Sequence, residues 1–233
     1  MPRSLRILAI FSATLLICGV AALAYIQITV RGSREHLRAT AVDPLTPREM
    51  YQGVVIPPFA GRTQANAPVD QSIFDGKITV LSFIFTHCPL ACPAITAQVK
   101  QMTDELKNTS TQFVSISLDP ANDTPAALTK WGESFQSDFS RWTFINGGPG
   151  THERILVDTF KEHLALDDSM PVKLDDGTTM PNIVHPLYIY LIGPDRNVID
   201  RFSTKRPEEM SALVARANLA AVTLASRQAK GKP

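Results

Sequence analysis

The amino-acid sequence predicts an α/β domain, a central mixed sheet with helices on both faces, preceded by one N-terminal transmembrane helix. Three observations predict it. Strand-like runs and helix-spaced apolar repeats follow one another in the order βαβα, then an antiparallel strand pair, then a closing helix. Two cysteines, Cys88 and Cys92, stand at the mouth of the first of these strands, where the next helix begins. The first thirty residues hold a long apolar run with no charge inside it.

Composition sets the outer limits. With 233 residues there is room for one domain of ordinary size plus an anchor and tails. Hydrophobic residues at 44% and charged residues at 19% give the balance of a folded globular chain, and the 17 prolines are spread along it. The 23 Lys and Arg against 22 Asp and Glu leave a formal charge of +1. That is no broad basic field for a phosphate backbone, so nucleic acid is not an expected partner.

Residues 1–31 are expected to be a membrane anchor. After Arg3 and Arg6, the stretch Ile7 to Val30 is uncharged and as a helix spans roughly 35 Å, against a hydrocarbon core of about 30 Å. A cleaved signal peptide is the rival, but the run exceeds the usual apolar region of about 7–15 residues, and no small-x-small site ends it before Arg31. Cys18 sits inside the run as one more apolar residue. Arg31, Arg34 and Arg38 behind the span offset Arg3 and Arg6, so charge does not orient it.

Residues 32–69, polar and then proline-rich (Pro44, Pro47, Pro57, Pro58, Pro68), are expected to form a tether and a loosely structured lead-in. The folded domain is expected over 70–225, with a tail at 226–233. Lys77 to Phe85, a nearly continuous apolar and β-branched run, predicts a strand buried on both faces. After THCPLACP, Pro93 suits a first helical position, and Ile95, Val99, Met102 and Leu106 follow at helical spacing. Gln112 to Leu118 predicts a second strand, parallel to the first, and Asp123 or Thr124 caps a helix that opens with Pro125. A third strand is expected at Trp142 to Asn146, and a helix over residues 151–164. A hairpin should turn on Asp176-Gly177, followed by strands at Leu187 to Ile192 and Asn197 to Phe202 and a helix from Pro207 to Leu224. This order is the thioredoxin arrangement.

The chemistry concentrates on Cys88 and Cys92. Their spacing puts one thiol just before a helix and the other at its N-cap, where unpaired N–H groups and the helix dipole favour thiolate. Pro89 and Pro93 stiffen the loop. A plain stabilising disulfide is the bland alternative, yet closing so short a loop removes little denatured-state entropy. His185 opens a strand beside the same end of the sheet. Two sulfurs and one imidazole form a soft set that suits Cu(I), accepts Cu(II) with a further weak ligand, and also suits zinc with water. His87 competes as third ligand; His36, His152 and His163 read as surface residues. Asp119 either orients the site or caps a turn. Met170 and Met180 flank the hairpin loop, as thioether donors or as packing, and Asp167, Asp168, Asp175 and Asp176 read as a solvated turn.

FIFTHCPLACP, SLDPANDTP and IVHPLYIYLIGPDRNVIDRF, in that order across Lys77 to Phe202, resemble the Sco/SenC family. The resemblance implies a membrane-tethered thioredoxin-like protein that binds copper through Cys88, Cys92 and His185, with Asp119 matching the family's aspartate-proline. It implies a partner in the copper-site subunit of cytochrome c oxidase, and a copper donor protein. It also implies a domain facing the periplasm from the inner membrane, or the intermembrane space in a mitochondrion. Two features depart from the family: Val184 stands where it carries aspartate before the histidine, and VVIPPFAGRTQANAPVDQSIF replaces its usual strand pair. A thiol-disulfide oxidoreductase acting on the oxidase subunit's cysteines is the alternative, with Cys88 attacking and Cys92 resolving. A peroxidase is a third reading, but Thr86 stands two residues before Cys88 rather than three.

Overall fold

In the computed structural model, which describes residues 43–231 and Gly19, the first departure from the sequence reading comes ahead of the cysteine strand. The segment expected as a loose lead-in belongs to the fold from Pro44 on, with Leu45 packed on the core and the Thr46 carbonyl accepting from Arg216 at 2.7 Å. A 3-10 turn, Glu49–Tyr51, buries Tyr51, and Ile56 and Phe59 enter the core behind it. Strands β1 (Ala60–Thr63) and β2 (Pro68–Asp70) then form an antiparallel hairpin, so the strand pair expected to be missing is present. Proline does not prevent this, because Pro68 is the first residue of an edge strand, where a missing N–H costs little. The expected membrane span lies outside the described residues, Gly19 apart; among the described residues no helix is long and apolar enough to cross a membrane.

The centre follows expectation. Strand β3 (Thr79–Ile84) is buried at every position, as a run covered on both faces requires. Helix α1 (Ala91–Glu105) buries Cys92, Ile95, Val99 and Met102 along one stripe. Strand β4 (Gln112–Ser117) pairs parallel with β3, and helix α2 (Pro125–Ser134) leads to β5 (Trp142–Asn146), parallel to β4. Thr124 rather than Asp123 caps α2, its Oγ1 accepting from the Ala127 N–H at 3.2 Å.

Beyond β5, the regular helix expected over 151–164 is replaced by a short α3 (Thr151–Glu153) that widens into a π turn, Arg154–Thr159. The wider turn is visible in the Phe160 N–H, which bonds to the Ile155 carbonyl five residues back. It sets Phe160 against Phe83 and Tyr190, ring centroids 6.3 and 4.6 Å apart. Strands β6 (Ala165–Lys173) and β7 (Thr179–Val184) form a separate two-stranded sheet around the expected Asp176-Gly177 turn. Strands β8 (Tyr188–Ile192) and β9 (Val198–Ser203) return antiparallel, completing the order β2-β1-β5-β4-β3-β8-β9.

Side-chain alternation assigns the layers. Ser82, Ser115 and Trp142 share one face, tied by Ser82–Ser115 and Trp142–Ser115 hydrogen bonds of 2.7 and 2.9 Å. Helices α1 and α2 cover that face and touch through the Trp131 Nε1–H, which donates to Thr96 Oγ1 at 3.2 Å. Phe83 and Tyr190 point the other way, toward the π turn. The closing helix α4 (Pro207–Ala229) runs past the expected end at Leu224, so the expected tail is helical up to Ala229. Its Arg216 reaches the buried carboxylate of Asp200 at 2.8 Å, and Arg48 reaches the same carboxylate at 3.0 Å, binding the N-terminal turn, β9 and α4 to one charge.

Candidate metal and thiol site

Strand β3 delivers the chain to the edge of the sheet at Phe85, and α1 starts six residues later. The N-cap is Leu90, so Cys92 is the second residue of the helix rather than its cap, and Pro93 the third. The shift has a chemical result. The backbone N–H groups of the first turn lack partners within the helix, and the one on Cys92 donates to Cys88 Sγ at 3.3 Å. Cys92 Sγ in turn accepts from the Phe85 N–H at 3.4 Å. Both cysteines are free, Cys88 8% exposed and Cys92 wholly buried.

The two thiols are driven apart in acidity. A hydrogen bond from the Cys92 side chain, helped by backbone N–H groups of the helix start and outweighing the cost of burial, lowers Cys88 to about 6. Burial raises Cys92 well above the ordinary thiol value, and the neighbouring Cys88 adds to the rise. At neutral pH the pair is therefore a largely covered thiolate and a wholly buried thiol.

His185 follows β7 and faces this pair. Its Nε2 lies 3.6 Å from Cys92 Sγ, and the ring meets Phe85 edge-on at 6.3 Å. Its Nδ1 lies 3.1 Å from the Pro186 carbonyl oxygen, which only accepts, so Nδ1 carries the proton and the Nε2 lone pair faces the sulfur. Burial lowers the imidazole pKa and keeps it neutral, the form that ligates. The half-exposed Val184 therefore does not leave the ring unoriented: the carbonyl does what a carboxylate would do. Cys92 lies between Cys88 and His185, and Cys88 and His185 line one groove of about 490 Å³.

Other candidates separate cleanly. His87 turns from the sulfurs toward Asp119 and Asp123; the potential ligand atoms of these three lie within 4.8 Å of one another. Both carboxylates are already engaged. Asp119 accepts from Asn122 N and Nδ2 at 3.3 and 2.8 Å and so holds a turn. Asp123 is the residue that the sequence reading underrated. Fully buried, it accepts from Thr86 N and Oγ1 at 3.0 and 2.6 Å and from Ser117 Oγ at 2.6 Å, tying the loop before Cys88 to the end of β4. The sequence marked it only as a candidate helix cap before Pro125, the role that Thr124 takes. His152, expected on the surface, is buried and lies 3.1 Å from Glu153. His163 is exposed, and His36 lies outside the described residues. Met180 is half-buried, its sulfur 3.6 Å from Asn122 Nδ2, whereas Met170 lines the groove with Cys88.

A strand-loop-helix that sets a thiolate, a buried thiol and a neutral imidazole at one end of a mixed sheet defines a thioredoxin-like protein with a soft-metal or dithiol site. The SCO1/SenC family profile matches residues 48–219, well over half of the chain. The chain belongs to the SCO1/SenC family. It is 29% identical over 151 residues to the SCO1 protein homolog of Bacillus subtilis, a match spanning 64% of this chain and 73% of that one. Among solved structures it resembles ScoI of Bradyrhizobium japonicum with copper bound, at a TM-score of 0.53 and 26% identity over 70% of this chain and 99% of that one. It also resembles BsSco, described as a disulfide-switch member of the Sco family of cytochrome c oxidase assembly proteins, at a TM-score of 0.59 and 26% identity over 72% and 94% of the two chains.

Proposed function

We propose that this chain binds copper through Cys88, Cys92 and His185 and passes it to the copper-site subunit of cytochrome c oxidase, receiving it from a copper donor protein. The observation that carries the reading is a buried Cys92 whose N–H reaches Cys88 Sγ and whose sulfur faces the neutral imidazole of His185, with Cys88 and His185 lining one groove. Soft thiolates with one nitrogen match Cu(I), and the tautomer of His185 leaves the correct nitrogen open. The copper-bound relative and the family match support the cargo; the assembly role follows the Sco protein described as an assembly factor. The uncharged stretch Ile7 to Val30 supports a single-pass anchor, and membership of the SCO1/SenC family supports a domain on the periplasmic side of the inner membrane, or its mitochondrial equivalent.

The acidity split favours a second reading, a thiol-disulfide oxidoreductase. The Cys88 thiolate attacks a disulfide of the oxidase subunit, forming a mixed disulfide and releasing one target thiolate. Cys92, giving its proton to solvent, displaces the second, leaving a Cys88–Cys92 disulfide and a dithiol target; two electrons have moved. His185→Ala separates the two. One copper per reduced chain in the wild type, with a sulfur-to-Cu(II) charge-transfer band that the variant loses, is the expected result. A wild type that takes up no copper but cycles its disulfide would establish the oxidoreductase instead.

A further inference from the structure

The groove that Cys88 lines carries a second sulfur-bearing residue, Met170. Its walls include Cys88, Leu90, Met170, Val184 and His185. Exposure falls steeply inward: Met170 is 55% exposed, Cys88 8% and Cys92 0%. The position of Met170 comes from an irregularity in β6. Pairing with β7 jumps from Asp167↔Asn182 to Val172↔Met180, so residues 168 to 171 on one strand stand opposite Pro181 alone on the other. Such bulges re-aim side chains beside functional sites. This one is held in shape: Asp167 Oδ1 accepts from Ser169 N at 2.9 Å and from Ser169 Oγ at 2.6 Å, and Pro171 fixes φ on the far side. The sulfur of Met180, by contrast, lies against Asn122.

We propose that Met170 is a further copper ligand, the one that takes the ion at the groove mouth and hands it inward to Cys88 and Cys92. The inference rests on the copper reading above. A thioether is soft, uncharged and cannot be protonated, so it binds Cu(I) at any pH but more weakly than thiolate. A weak outer donor followed by stronger inner ones makes the inward exchange downhill. A bond from Cu(I) to Met170 Sδ forms as one bond to the incoming donor breaks; bonds to Cys88 Sγ and Cys92 Sγ then form as the Met170 bond and the last donor bond break. Copper stays Cu(I), no electron moves, and the Cys92 proton leaves to water.

The test uses the full chain in detergent micelles, reduced and anaerobic, with Cu(I) supplied as its bicinchoninate complex and uptake followed by loss of that complex's colour. Met170→Leu keeps the bulk and removes the sulfur. Uptake is expected to slow about ten-fold while final stoichiometry and affinity stay within about two-fold of wild type, an effect on a barrier rather than on the end state. In selenomethionine-substituted Cys92→Ser, a copper–selenium scattering path is expected that Met170→Leu abolishes. Unchanged uptake with no such path, in a wild type that does bind copper, would overturn the role of Met170 alone. A wild type that binds none overturns the copper reading itself.

Discussion

At the scale of single residues, the site depends on where unpaired backbone N–H groups point. The helix start directs one at Cys88, where it adds to the Cys92 side-chain hydrogen bond that does most to lower the thiol. Because Cys88 lies near 6 in the fold and higher when unfolded, its thiolate adds stability that is present above the ordinary thiol pKa and is lost as pH falls through about 6. Cys92 is raised, so its contribution is full below the ordinary thiol value and is lost as pH rises through its folded one. Iodoacetamide at pH 7 should therefore alkylate Cys88 fast and Cys92 hardly at all, with a Cys88 midpoint near about 6 in the rate-against-pH profile. Equal labelling of the two, mapped by peptide mass, would contradict the split. Asp123 acts at one remove: its three hydrogen bonds hold the Thr86 segment from which the cysteine loop departs.

At the scale of elements, the N-terminal hairpin is the clearest lesson. Its prolines marked the segment as loose, because local propensity weighs a missing N–H without knowing whether the ladder needs it. On an edge strand it does not. The contact that makes the hairpin part of the sheet is equally invisible locally. Gly61 runs so close to β5 that an added Cβ would collide with the backbone carbonyl of Asn146. Backbone cannot swing aside as a side chain can. Gly61→Ala is expected to lower stability by about 1–3 kcal/mol, read as a shifted urea midpoint at unchanged slope. An unshifted midpoint would mean that β1 does not pair as described. The π turn has a similar origin: the 151–164 segment has helical spacing, but packing Phe160 onto Phe83 and Tyr190 requires the wider turn.

At the scale of the molecule, the segment before β3 supplies part of the core. Removing residues 1–42 should leave a fragment that melts cooperatively. Removing 1–76 also takes away Tyr51, Ile56, Phe59 and Phe74, all buried. At about 1.5–3 kcal/mol for each large apolar side chain, the loss rivals a typical total stability of about 5–15 kcal/mol. It also strips Arg48 from Asp200. The shorter fragment is expected to show no cooperative near-ultraviolet melt; one matching the longer fragment would place these residues outside the core.

What the sequence determined by itself was whatever is written in short-range pattern: the buried β3 run, the stripe of α1, the parallel β4, the existence of β5, the β8–β9 pair, and the cysteine loop where a strand meets a helix. These depend on periodicity and on a few residues that start or stop elements. Tertiary structure alone decided what depends on neighbours distant in the chain. It sent His185 to the sulfurs and His87 to the carboxylates, gave Asp123 its three partners, replaced a carboxylate by the Pro186 carbonyl, and turned Met170 rather than Met180 into the groove. A side chain's type sets which bonds it can make; which of them it makes depends on what the folded chain brings within about 3–4 Å.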